Sequence, residues 1–220
     1  MVLPSIEIET GANPRHALIW LHGLGADGHD FEPLVPDLVD RAWPALRCVF
    51  PHAPVRPITI NAGMAMRAWY DISGLEIAQR QDEAGIRASV GLLDELIERE
   101  IGRGVPSENI LLAGFSQGGA IVLAGGLRCA RTLCGIIALS TYLPMAEKTD
   151  AEASAANRAT PVFMAHGMLD PTISHALGEM SREYLKQRGY AVEWHAYPMA
   201  HQVCAEEIAD LRHWIGGRLR

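Results

Sequence analysis

Several features are missing from this chain of 220 residues, and each absence removes a class of function. Lys and Arg form no patch and the net charge is −7, which argues against a nucleic-acid partner. No apolar stretch approaches the roughly 18 residues of a membrane span, so stable membrane insertion is not expected. The start, "MVLPSIEIET", lacks a basic segment followed by an apolar one, so a secretory signal is not expected and a cytoplasmic location is. The four cysteines, Cys48, Cys129, Cys134 and Cys204, form no CxxC pair and stand at no metal-ligand spacing from histidine. They are expected to be reduced, partly buried, apolar side chains. Cys204, close behind His201, is the one to watch for incidental reactivity. There is no repeat, linker or low-complexity tail.

What is there builds a core. Hydrophobic residues make up 49% and charged residues 20%, and the length suits one domain over residues 1–220. Apolar, β-prone runs at 16–23, 46–54, 109–115, 134–140, 161–167 and 190–197 are nearly continuous rather than alternating. Strands covered on both faces have that pattern. Helical periodicity falls between them, at 82–104, 118–128, 174–189 and 205–219. The alternation predicts a mainly parallel central sheet with helices on both faces. The polar stretch 146–160 reads as a surface excursion. The stretch 56–81 is weakly periodic yet carries Trp69 and Tyr70, so it reads as a loop packed over a site.

The chemistry begins at "LLAGFSQGGA". Gly114-Phe115-Ser116-Gln117-Gly118 has the form G-x-S-x-G between a predicted strand and a predicted helix. At this composition about 0.1 such matches arise by chance, so the strand–helix setting carries the weight. A hydroxyl on so sharp a corner is either an ordinary turn or a nucleophile, and a nucleophile needs a base. Catalytic groups of a parallel sheet gather beyond the carboxyl ends of its strands. His201 in "PMAHQV" lies there, whereas His195 lies in a predicted strand and His213 in a predicted helix. An acid must orient the imidazole. Asp170 follows "PVFMAHG" at another carboxyl end, although "DPT" is also a helix-start signal. Glu193 and Asp150 are weaker candidates. Acyl transfer further needs two amide donors for the oxyanion. The N–H of Gln117 is one, and the N–H of Leu24 in the turn "LHGLGADG" is the other; a plain glycine turn is the alternative.

The order Ser116, Asp170, His201 is that of α/β-hydrolases. With "IWLHGLGADG", "FPHAPVRPITINAGMAMRAWYDI", "LLAGFSQGGAIVL", "GIIALSTYLP", "HGMLDPTI" and "YPMAHQV", nearly the whole chain resembles the phospholipase/carboxylesterase family, which includes acyl-protein thioesterases. The wording is closer to its bacterial carboxylesterases. The resemblance implies the α/β-hydrolase fold, with Ser116, Asp170 and His201 as triad, and the chain length leaves little for a large lid domain. It implies Leu24 and Gln117 as oxyanion donors, and Trp69, Tyr142 and Leu143 beside the acyl site, with loop packing the alternative for Trp69. It implies ester or thioester substrates and no metal or cofactor. The family usually has Gly before the histidine and Glu after it. Here Ala200 and Gln202 stand there, and the methyl of Ala200 is a strain if that position needs positive φ.

The expected function is hydrolysis of carboxylic esters of small or medium acyl chains through an acyl-enzyme. Acyl-protein thioesterase or lysophospholipase is the alternative, and a non-catalytic binding domain the remote one. With few residues left for a lid, the site is expected to be shallow and open. A helical face could support a homodimer, although no stripe is diagnostic. A free histidine titrates near 6.5, so activity should fall below about pH 6–7.

Overall fold

The computed structural model describes residues 3–74 and 81–219. Seven of its strands form one sheet: β1 (Ser5–Glu9), β2 (His16–Leu21), β3 (Leu46–Pro51), β6 (Ile110–Phe115), β7 (Gly135–Leu139), β8 (Val162–Gly167) and β9 (Val192–Tyr197). Their order is β1-β3-β2-β6-β7-β8-β9, parallel throughout except for β1, which runs antiparallel to β3. Every residue of β2, β3, β7 and β8 is buried, which is why those runs lack polar alternation. β1 lies at an edge, alternates Ile6 and Ile8 with Glu7 and Glu9, and is short, so it gives little apolar signal.

Successive residues of a strand face opposite sides, and the core divides accordingly. Ala17, Ile19 and Leu21 pack into one cluster, with α2 (Glu83–Gly102) and α3 (Gln117–Arg128). Leu18 and Trp20 pack into the other, with α1 (Val35–Leu38) and α6 (Ala205–Gly216). Helices α4 (Ala146–Glu152) and α5 (His175–Gln187) complete the set, and Leu185 of α5 joins the first cluster. This is the α/β-hydrolase arrangement, a mainly parallel sheet sandwiched between helices, and among the described residues no large lid domain covers it.

Two stretches differ from the sequence reading. Residues 56–81 are not simply a loop: β4 (Val55–Ile58) and β5 (Met64–Arg67) form an antiparallel hairpin, turned by Ala62 and Gly63 at positive φ. The short strands expose Val55 and Met64, so no apolar periodicity marks them. The last part of the stretch, residues 75–80, lies outside the described residues. Residues 146–160 contain α4, and they are not only surface. Asn157 is fully buried, donating to the carbonyls of Cys129 and Arg131 and accepting from Leu133 N–H. A single amide that satisfies three backbone groups is invisible to a hydropathy pattern.

Candidate active site

The elbow follows from glycine. β6 ends at Phe115 and α3 begins at Gln117, so Ser116 alone makes the turn, at φ 54° and ψ −120°. That is a left-handed conformation a serine adopts only at a cost of about 1–3 kcal/mol. Its neighbours hold it there. Ser116 N–H donates to Leu139 O at 2.9 Å, and Ser116 O accepts from Thr141 Oγ1 at 2.7 Å and from Ala120 N–H at 3.1 Å. Only glycine fits on either side. A Cβ on Gly114 would stand 2.4 Å from the Gly118 backbone, and one on Gly118 would stand 2.3 Å from Leu21 O.

Three loops from different strand ends meet at this corner. His201 Nε2 lies 2.9 Å from Ser116 Oγ, and His201 Nδ1 lies 2.7 Å from Asp170 Oδ2. With Nδ1 protonated toward the carboxylate, Nε2 is the acceptor for the serine proton. The other carboxylate oxygen, Oδ1, accepts N–H bonds from Thr172 at 2.8 Å and Ile173 at 2.9 Å. Asp170 does not cap α5, whose N-cap is Ser174; it closes a turn ahead of that helix. The loops that carry Asp170 and His201 are bound to each other by Met168 N–H to Tyr197 O and Leu169 N–H to Met199 O. Ala200 is not at positive φ and is exposed, so its methyl brings no strain.

A fourth loop follows β2. A Cβ on Gly23 would lie 3.4 Å from Ser116 Cβ, so this turn packs directly against the elbow, with half-buried Leu24 next in line. Gly25 turns at φ +78° and is fixed by its N–H to Arg67 O at 2.9 Å. At the start of α3, the N–H of Gln117 has no carbonyl a turn earlier in its helix to bond. A family model described as phospholipase/carboxylesterase matches residues 4–217. The chain belongs to that family.

Relatives within the phospholipase/carboxylesterase family agree with this. Acyl-protein thioesterase 1 of Neurospora crassa is 39% identical over 225 residues, covering 98% of this chain and 92% of the relative. A probable carboxylesterase of Oryza sativa is 32% identical, covering all of this chain and 84% of the relative. The crystal structure of Arabidopsis thaliana SOBER1 superposes with a TM-score of 0.88 at 30% identity, covering 94% of this chain and all of that one.

The remaining expected residues lie differently from Ser116. Trp69, Tyr142 and Leu143 are 0%, 2% and 4% exposed. Trp69 N–H donates to Gln117 Oε1 and its indole N–H to His22 O. Tyr142 and Tyr70 share a hydroxyl hydrogen bond at 2.9 Å, and burial raises both phenols, Tyr142 to about 12. Leu143 N–H donates to Ser181 Oγ. All three side chains are buried, and the polar atoms of Trp69 and Tyr142 are taken up by bonds within the protein.

Two histidines of this phospholipase/carboxylesterase chain escaped the sequence reading. His22 is 1% exposed. Its Nδ1 donates to Gly23 O at 2.7 Å and its Nε2 accepts from Ala53 N–H at 3.1 Å, so the ring braces the turn that carries Leu24. Burial lowers its pKa to about 4, keeping it neutral. His166, at the end of β8, donates from Nε2 to Ile173 O at 2.8 Å and sits 3.4 Å from Asp170 Oδ2. Burial lowers its pKa as well, so it braces the loop that carries Asp170 without adding charge. Each stands directly before a glycine at a strand end, and that dipeptide is the only trace in the sequence.

Proposed function

We propose that this chain, as one α/β-hydrolase domain, cleaves carboxylic esters with Ser116 as nucleophile, His201 as base and acid, and Asp170 as the group that orients His201. The observation that carries the reading is the relay of 2.9 and 2.7 Å from a serine held at φ 54° to a buried carboxylate. His201 takes the Ser116 proton as Ser116 attacks the carbonyl. The N–H groups of Leu24 and Gln117 receive the oxyanion, each worth about 10²–10³ in kcat. His201 then protonates the leaving group, and water repeats the steps on the acyl-enzyme.

Small and medium acyl chains are the first substrate reading. Acyl-protein thioesters are the second, favoured by the names of relatives such as that of Neurospora crassa. Apolar surface at the site also supports it: Met168 and Leu169, in the loop that carries Asp170, are 50% and 71% exposed. The test is kcat/KM for p-nitrophenyl esters of two to sixteen acyl carbons, beside an S-palmitoyl peptide, with Ser116→Ala as blank. A peak at short chains supports a general carboxylesterase. A rise to long chains with peptide turnover supports the thioesterase. No turnover of either class overturns the reading.

A further inference from the structure

The two proposed oxyanion donors belong to distant parts of the chain, Leu24 after β2 and Gln117 at the start of α3, and something must hold them in register. The backbone of Trp69 lies between them. Gln117 Oε1 accepts Trp69 N–H at 2.8 Å, and Gln117 Nε2 donates to Tyr70 O at 2.7 Å, so the side-chain amide holds the Trp69–Tyr70 backbone by the N–H at one end and the carbonyl at the other. The carbonyl of Trp69 accepts from Ser89 Oγ on α2. The indole then crosses to the other loop: Trp69 Nε1 donates to His22 O at 2.9 Å, two residues before Leu24, with the two rings 5.4 Å apart. Gln117, Trp69, Tyr70 and His22 are each no more than 3% exposed. Buried bonds of this kind are costly to leave unmade and define one geometry.

We propose that Trp69 is a positioning residue that locks the Leu24 and Gln117 amides into a single oxyanion site, rather than a residue that touches substrate. The proposal rests on the hydrolase reading above. Tryptophan combines a large ring with a polar atom that can only donate, so it packs in the core and still reaches the His22 carbonyl.

Trp69→Phe keeps an aromatic ring and removes the indole N–H. Full loss of one oxyanion donor costs about 10²–10³, so loosening one should lower kcat roughly 10–100-fold. KM should stay within about twofold, because ground-state binding does not use the oxyanion site. An aryl trifluoromethyl ketone, whose serine adduct places an oxyanion in that site, should lose affinity by the same factor as kcat/KM. Burst titration with p-nitrophenyl acetate counts active sites. A lower titre with unchanged kcat per site and unchanged ketone affinity means mere structural support and overturns the proposal, as does wild-type kcat in a fully titrating Trp69→Phe protein. Should Trp69→Phe not fold, Gln117→Met tests the clamp from its other end, since it keeps the Gln117 N–H and removes both side-chain bonds. Failure of the wild-type protein to hydrolyse p-nitrophenyl acetate at all overturns the hydrolase reading instead, so the two failures are distinguishable.

Discussion

Gly118→Ala should disable the site while leaving the fold in place. The added Cβ would stand 2.3 Å from Leu21 O and 2.6 Å from His22 O, whereas ordinary contact begins at 3.4 Å. Both obstacles are backbone, so they cannot rotate away. The first turn of α3 and the end of β2 must separate by about 1 Å, and a misplacement of that size costs about 10²-fold at a reacting centre. Overpacking of this kind costs about 1–3 kcal/mol of stability. The assay is kcat for p-nitrophenyl butyrate on burst-titrated enzyme, with thermal unfolding alongside. Gly91→Ala is the matched control. That glycine lies in α2 with nothing within 4 Å of an added Cβ, so alanine should stabilise by up to about 1 kcal/mol and leave kcat unchanged. A Gly118→Ala protein with kcat within threefold of wild type would refute the claim that this helix–strand contact sets the oxyanion geometry.

Further outcomes follow from the same structure. Asp170→Asn should cut kcat by about 10⁴, because an amide no longer fixes the His201 tautomer, and it should spare the fold if the asparagine oxygen keeps the bonds from Thr172 and Ile173; a loss under tenfold would contradict the role. Glu207 is fully buried on α6 and burial raises its carboxyl to about 8, so its contribution is complete below about pH 4.5 and lost as pH rises through 8. Glu207→Gln should therefore raise stability at pH 7 by up to about 3 kcal/mol and flatten the urea-unfolding profile between pH 5 and 8; an unchanged slope would count against it. His22 has the opposite sign. Lowered to about 4, it contributes stability above pH 6.5 that is lost as pH falls through 4, again up to about 3 kcal/mol. His22→Asn should remove that acid limb from unfolding curves measured between pH 7 and 4.

The sheet could be read from the sequence because β2, β3, β7 and β8 are buried on both faces, leaving unbroken apolar runs. The parallel direction of β2, β6, β8 and β9 then sends the loops bearing Gly23, Ser116, Asp170 and His201 to one end, so candidates for a site could be named from position and residue type. What the pattern could not carry was anything built from a few local hydrogen bonds. The β4–β5 hairpin has four-residue strands with exposed apolar tips, so neither periodicity nor burial marks it. Trp69 sat in a stretch without periodicity, and its partners, Gln117 and His22, are 48 and 47 residues away in sequence. His22 and His166 look like any histidine before a glycine until the strand ends are assembled around them.

The central claim is that Ser116 is an activated nucleophile, and intact-protein mass spectrometry after exposure to a fluorophosphonate tests it most directly. The expected result is one adduct per chain, located on Ser116, formed at a rate that falls when His201 is replaced and abolished in Ser116→Ala. A wild-type chain that stays unmodified, or one labelled at another residue while Ser116 remains free, would contradict the account.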